Sequence, residues 1–187
     1  LLSGRLARAF PVRELAPGEV VPDDLAALFV LGGRNLTEKD LLPIDRFVRH
    51  GGRSLFAVDG VDVDINRNLA AVSIGQTALL RLLAGYGVSI DNALVLDASA
   101  RRIPVQRPVG QLQVQALETY PLWVAAQAIG VSRTHPLTAR FQGLDFLWPS
   151  PIEAAPPPGV ASEVLAASSR DSWIMREPFV TSPFQLQ

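Results

Sequence analysis

The sequence predicts a three-layer α/β domain with a mostly parallel sheet and a second half that is richer in strands. In the first 100 residues, short continuous apolar runs alternate with segments of helical periodicity, as in sheets buried on both faces by crossover helices. Later segments alternate polar and apolar residues, which is typical of sheets with one solvated face. The chain has 187 residues, of which 48% are hydrophobic. We therefore expect one domain over residues 1–187 with its own core.

The first predicted elements form a βαβ unit. Residues 1–23 precede it, and their alternation broken by prolines predicts an N-terminal arm or edge strand. Apolar runs at residues 25–31 and 54–58 predict two buried strands. Helical spacing between them predicts a helix that follows a polar turn at Thr37, has Pro43 in its first turn and ends near His50. Such a unit has parallel strands and a right-handed crossover.

The βαβ core extends over residues 24–100. A polar loop occupies residues 59–68, and a strongly apolar helix follows at residues 77–86. A third apolar run, residues 93–96, predicts another strand of the same sheet.

The second half is predicted to be mainly strands. Alternating residues within 101–124 predict a β-hairpin or flap, which ends in a strand at 120–124. Two further strands are predicted at 144–148 and 160–167. Residues 125–187 would then supply the remainder of the sheet and a C-terminal tail.

The composition excludes several classes of function. The net charge is −1 and no run of basic residues occurs, so nucleic acid is not an expected partner. The chain has no cysteine, which excludes disulfides, thiolate metal sites and cysteine nucleophiles. With only two histidines, a histidine-rich zinc site is not expected either. We therefore predict no metal, no cofactor and no catalytic residue.

No apolar run is long enough to span a bilayer, and no signal peptide opens the sequence. The first residue is Leu1 rather than methionine. We accordingly expect a processed product or an excised domain, with any membrane anchor outside it.

Candidate ligand-binding residues lie at predicted strand ends and in loops. The turn after the first strand is where open α/β sheets often bind ligands, although it lacks the longer glycine patterns of phosphate-binding loops. Two aspartates close the next predicted strands, and one histidine lies in a loop before a proline. The six candidates are Gly32, Gly33, Arg34, Asp59, Asp97 and His135.

The acidic loop after the second strand resembles the start of a calcium-binding loop. Asp62, Asp64 and Asn66 have the spacing of the first ligands of an EF-hand. The match then fails, because Arg67 stands where glycine is needed and Ser73 where a bidentate glutamate is needed. A solvated turn is the favoured interpretation of this loop.

Besides ligand binding, two function classes remain open from the residues alone. One is a hydrolase or transferase acting on carbohydrate or peptide through a pair of carboxylates, drawn from Asp59, Asp62, Asp97 and Asp145. The other is a structural assembly module, which predicts an exposed apolar patch larger than a few hundred Å².

A series of short blocks resembles one known family in its order and spacing. The blocks are Leu36-Thr37-Glu38, Ile44-Asp45-Arg46-Phe47, Gly51-Gly52, Leu82-Leu83 with Tyr86-Gly87-Val88, Val95-Leu96-Asp97, His135-Pro136 and Ser172-Trp173. They are similar to the soluble domain of the gliding-motility-type (GldG-like) auxiliary proteins of ABC transporters. The resemblance covers roughly residues 24–175.

The resemblance implies both a fold and a cellular context. The fold would be like that of class I glutamine amidotransferases or flavodoxins, without catalytic chemistry, and related to a domain of intraflagellar transport proteins. The domain would lie outside the cytoplasm on a membrane-anchored protein. Its partners would be an ABC permease and an ATPase. Apart from the resemblance, we expect a carbohydrate or a peptide as the class of ligand.

Overall fold

The computed structural model describes residues 2–109, 112–127 and 131–186. Its helices are α1 (Leu2–Leu6), α2 (Glu38–Arg49) and α3 (Ala78–Gly85). The strands are β1 (Leu28–Leu31), β2 (Ser54–Ala57), β3 (Val61–Asp64), β4 (Ala70–Ser73), β5 (Val88–Ile90), β6 (Leu94–Asp97), β7 (Ala100–Val109), β8 (Leu112–Gln127), β9 (Gly143–Leu147), β10 (Ile152–Ala154) and β11 (Ser172–Met175).

The chain divides into two compact units. The first unit runs up to Val58 and includes Thr77–Leu82, and the second holds Asp59–Gln76 and the chain from Leu83 onward. The prediction of one domain over residues 1–187 stays a prediction. None of the helices within the described part of the chain is long and apolar enough to cross a membrane.

The first unit contains the predicted βαβ arrangement. Strands β1 and β2 pair in parallel, and α2 lies between them in the chain. Within residues 1–23, predicted as an N-terminal arm or edge strand, Leu2–Leu6 form the short helix α1 and residues 7–23 form no strand. The helix begins where its capping residues satisfy the free N–H groups of the first turn, because Thr37 and Asp40 form a reciprocal capping box. Pro43 therefore lies inside the helix rather than in its first turn, where we expected it.

The second unit consists mainly of antiparallel pairs. Strands β7, β8 and β9 form one three-stranded sheet, and β3–β4, β5–β10 and β6–β11 are separate two-stranded pairs. The hairpin predicted within residues 101–124 is present as β7 and β8. The core of this unit is a cluster of buried apolar side chains: Val61, Leu94, Leu96, Tyr120 and Leu122.

The predicted fold class is wrong. Strands make up 34% of the chain and helices 15%, and the sheets are small and antiparallel apart from β1–β2. The residues that the structure describes therefore do not form the three-layer, mostly parallel, amidotransferase-like or flavodoxin-like arrangement. The error has a definite source: the third apolar run does form β6, but β6 pairs with β11 and not with β1 or β2.

Two local predictions also fail. The loop predicted at residues 59–68 contains β3, which forms a hairpin with β4. The strand predicted at residues 160–167 is reduced to a single bridge between Val131 and Ala166. The final strand is instead β11, which the sequence analysis did not predict.

Candidate functional site

One face of the β1–β2 pair in the first unit is apolar and exposed. Side chains alternate along a strand, so Val30 lies buried while its neighbours Phe29 and Leu31 are 46% and 52% exposed. On β2, Leu55 is 48% exposed. The register aligns Phe29 with Leu55 and Leu31 with Ala57, so these four side chains form one continuous surface, the apolar face.

An exposed face is unusual for parallel strands. Parallel sheets occur almost only where both faces are covered, because crossover helices pack on each side. Here the strands also have the continuous apolar sequences of two-sided burial, Leu-Phe-Val-Leu in β1 and Ser-Leu-Phe-Ala in β2. Covering three half-exposed large side chains would contribute roughly 1 kcal/mol each. The apolar face is therefore suited to association with another apolar surface.

The turn that ends β1 borders the apolar face and includes three of the predicted ligand residues. Gly32 donates its backbone N–H to the carbonyl of Ala57 at 2.8 Å, which prolongs the pairing with β2. Gly33 has a φ of +88°, and a Cβ there would lie 2.9 Å from the Leu79 side chain. The two glycines thus serve the turn and its packing, and Arg34 follows them in the same unit.

The other three predicted residues belong to the second unit. Asp97 is fully buried and accepts hydrogen bonds from the N–H groups of Ser99 and Ser169 and from the Ser169 hydroxyl. Its carboxylate therefore ties the end of β6 to the chain before β11. It satisfies backbone donors, which is a structural role.

His135 lies in a turn. Its Nδ1 accepts a hydrogen bond from the N–H of Leu137 at 3.2 Å, and its carbonyl accepts from Thr138 and Ala139. With Nδ1 used as an acceptor, the neutral ring carries its proton on Nε2. The contacts that the structure gives His135 hold the turn together.

Asp59 lies in the short loop between β2 and β3. Partial burial, and secondarily the negative charge of Asp62, raise the pKa of Asp59 above its usual value. Asp64 accepts from the N–H of Asn66 at 2.9 Å and so begins a short 3₁₀ helix, Ile65–Arg67. Among the described residues, no group of three or more acidic or histidine side chains could hold a metal ion.

The carboxylates of the alternative hydrolase hypothesis have different surroundings. Asp145 makes an exposed ion pair with Arg101 at 2.8 Å, whereas Asp97 is buried among backbone donors. Asp59 and Asp62 lie close enough to influence each other electrostatically. Two of the four candidates are thus engaged in contacts that a general acid or nucleophile would have to give up.

Comparison with known proteins gives the family. A model of the ABC-type uncharacterized transport system family matches residues 3–187. The chain belongs to this family. The apolar face and the two units are thus features of a member of the ABC-type transport system family.

One curated relative matches across most of the chain. This uncharacterized protein of Borreliella burgdorferi (strain ATCC 35210 / DSM 4680 / CIP 102532 / B31) is 25% identical over 163 residues, which cover 86% of this chain. The chain spans only 31% of that relative's length. No solved structure matches the chain. The transport family is thus shown, whereas a specific tie to gliding motility or to intraflagellar transport is not.

The apolar face was missed in the sequence analysis of this transport-family chain, although a signal for it exists. Both strands carry apolar residues at consecutive positions, which predicts cover on two sides. Only the strand pairing shows that, within the described part of the chain, β1 and β2 each have one neighbouring strand and that one side of the pair is exposed. The sequence pattern predicts burial of both faces, but it does not show whether the chain itself covers both of them.

Proposed function

We propose that this chain is a non-catalytic auxiliary module of an ABC-type transport system and binds a protein partner through the apolar face. The family match over residues 3–187 supports the transport context. The single observation that carries the binding role is the exposure of Phe29, Leu31 and Leu55 on one side of a parallel strand pair.

The partner surface that fits this face is itself apolar. The four side chains of the apolar face carry no charge and no hydrogen-bonding group, so hydrophobic burial supplies the binding free energy. Because hydrophobic contacts are not directional, such a surface does little to fix the orientation of the partner. Among the residues that the structure describes, the outer edges of β1 and β2 pair with no further strand. They add backbone donors and acceptors that can fix the register of a partner strand.

The non-catalytic part of the proposal is supported by the carboxylates. Asp97 and Asp145, two of the candidates for carboxylate chemistry, are engaged in hydrogen bonds and an ion pair. His135 is held in its turn by contacts with Leu137 and Thr138. These side chains stabilise the fold, and no specific observation favours a hydrolase.

The cellular arrangement in this proposal rests on the resemblance to GldG-like auxiliary proteins. The module lies outside the cytoplasm on a membrane-anchored protein, and the apolar face contacts the permease of the transporter. The ATPase joins the same assembly through the permease from the cytoplasmic side. The family match supports transport alone, so gliding motility is not part of the proposal.

Site-specific photo-crosslinking in native membranes tests the partner role. A photoreactive phenylalanine analogue replaces Leu31 or Leu55 in the full-length protein. The matched control carries it at Leu42 of α2, which is 66% exposed and also apolar. We expect adducts with the transporter permease from both face positions, identified by mass spectrometry, and none from Leu42.

A charge substitution provides the second arm of this experiment. Leu55→Glu should abolish co-purification of the permease and ATPase, whereas Leu42→Glu should leave it intact. Circular dichroism checks that both variants fold. The proposal is overturned if face positions give no permease adduct, or if both glutamate variants retain the transporter equally well.

A further inference from the structure

A second surface of the first unit is a groove at the C-terminal end of α2. It has a volume of about 550 Å³ and opens to solvent. One wall comes from the chain before β1 and the other from the last turn of α2 with the turn that follows. The lining residues are Asp23, Leu25, Ala26, Arg46, Phe47, His50, Gly51, Gly52 and Arg53.

The turn beneath the groove is built by two successive glycines. Gly51 donates to the carbonyl of Val48 and Gly52 to that of Phe47, both at 2.9 Å, which is a Schellman motif. Gly51 has a φ of +84°, and a Cβ on Gly52 would lie 2.3 Å from the Phe47 ring. The Phe47 ring therefore packs directly on the Gly52 backbone. This packing gives the groove a fixed floor that contains an aromatic ring.

The groove carries an excess of positive charge. Arg46 and Arg53 form no ion pair with any residue in the described part of the chain, whereas Arg49 on the same helix pairs with Asp45 at 2.8 Å. His50 donates from Nδ1 to the Arg46 carbonyl at 2.7 Å, which leaves Nε2 as the ring nitrogen that can contact a ligand. Asp23 is the only acidic residue among the lining side chains.

We infer that this groove binds a short peptide that carries a free carboxylate. Guanidinium groups present paired N–H donors that match a carboxylate, and the two arginines lack such an acceptor within the described chain. Asp23 provides an acceptor for the amino end of the same ligand. Leu25, Ala26 and Phe47 form apolar walls for its side chains.

The size of the groove agrees with this class of ligand. Small-molecule sites typically have volumes of about 300–1,000 Å³ and combine apolar walls with a few polar groups. The groove has that volume and that mixture. The inference is independent of the proposed function, because none of the groove residues belongs to the apolar face.

Calorimetric titration with defined peptides tests the groove. The probe is trialanine with a free C-terminus, and the paired probe is trialanine amide, which lacks the carboxylate. At low ionic strength, we expect the amide to bind at least about ten-fold more weakly, which corresponds to the loss of one charge-assisted contact. Inorganic phosphate is titrated as a generic anion.

Arginine variants locate the binding. The double variant R46Q/R53Q should weaken trialanine binding by at least about ten-fold. The matched control R49Q, on the same helix, should stay within about two-fold because its ion pair is exposed and outside the groove. If R46Q/R53Q proves unfolded by circular dichroism, R46K keeps the charge but loses the two-pronged donor and should still weaken binding measurably.

Three results would overturn the inference. One is equal affinity for trialanine and its amide, which would show that the groove does not recognise the carboxylate. Another is unchanged affinity in folded R46Q/R53Q or R46K, which moves binding elsewhere. The last is phosphate binding as tight as that of trialanine, which makes the groove a generic anion site.

Discussion

Two four-residue strands of similar composition have opposite surroundings. Strand β1, Leu-Phe-Val-Leu, has one buried side chain and two that are about half exposed. Strand β6, Leu-Val-Leu-Asp, has three buried side chains, including its aspartate. The comparison shows that apolar composition predicts a strand, whereas the elements packed on each side determine its burial.

The difference follows from what each strand packs against. Leu94 and Leu96 of β6 belong to a core with Val61, Tyr120 and Leu122, which come from strands β3 and β8. In that core, the Tyr120 hydroxyl donates to the carbonyl of Thr181 and accepts a hydrogen bond from the Nε1–H of Trp148. The apolar face of β1–β2 has no comparable cluster among the described residues.

A matched pair of leucine truncations gives the largest expected effect. Leu94→Ala removes a fully buried side chain and should lower the free energy of unfolding by about 2–5 kcal/mol. Leu55→Ala removes a side chain that is 48% exposed and should cost less than about 1 kcal/mol. Urea unfolding of both variants measures the difference. Equal losses would mean that the apolar face is covered in solution.

The second pair compares two aspartates near strand ends. Asp97→Asn replaces one carboxylate oxygen by an N–H donor that faces the N–H of Ser169 or Ser99. We expect a loss of about 1.5–3 kcal/mol, because charged hydrogen bonds to buried donors are lost. Asp145→Asn removes an exposed pair with Arg101 and should change stability by less than about 1 kcal/mol.

The outcome also bears on the hydrolase alternative. If Asp97 has a structural role, Asp97→Asn lowers the protein's free energy of unfolding, as measured by urea unfolding. A carboxylate held in place for chemistry would instead leave stability unchanged or raised, since functional groups are commonly kept at a cost in stability. A stable D97N variant would therefore argue against the structural role assigned to Asp97.

Local structure could be predicted from the sequence where residues a few positions apart determine it. Thr37 and Asp40 predict the start of α2, and Gly51 with Gly52 predicts its end, because caps are formed by residues a few positions apart. The hairpin in residues 101–124 was likewise predictable from alternation and proximity. The exact start was predicted wrongly, because Thr37 is the N-cap rather than part of a turn before the helix, which places Pro43 inside the helix.

Strand partners could not be predicted in the same way. The apolar run of β6 fits a central parallel strand, but its partner β11 lies more than 70 residues later in the chain. Hydrogen-bond pairing between distant strands depends on the whole fold, and periodicity carries no information about it. The same limit applies to the apolar face and the groove, which exist only once strand and helix ends are placed in space.

The third pair tests the floor of the groove. Gly52→Ala places a methyl group 2.3 Å from the Phe47 ring, so the ring or the turn must shift. We expect a loss of about 1–3 kcal/mol from overpacking, together with weaker trialanine binding. Gly51→Ala meets open space and should cost only about 1 kcal/mol through its positive φ. Thermal unfolding and calorimetry measure both, and equal stability losses would contradict the packing of Phe47 on Gly52.

The smallest expected effect concerns pH and the loop before β3. Burial, and then the charge of Asp62, raise the pKa of Asp59, so the folded state holds this proton more tightly than the unfolded state does. For an acid with a raised pKa, this contribution to stability is present at low pH and is lost as pH rises through the folded pKa. Asp59→Asn should therefore raise the Tm by about 1–2 °C at neutral pH and leave it unchanged below about pH 3. Asp62→Asn removes only the secondary cause and should give a smaller rise. A D59N variant that is less stable at neutral pH, or whose benefit persists in acid, would show that the Asp59 carboxylate makes a favourable contact in the folded protein.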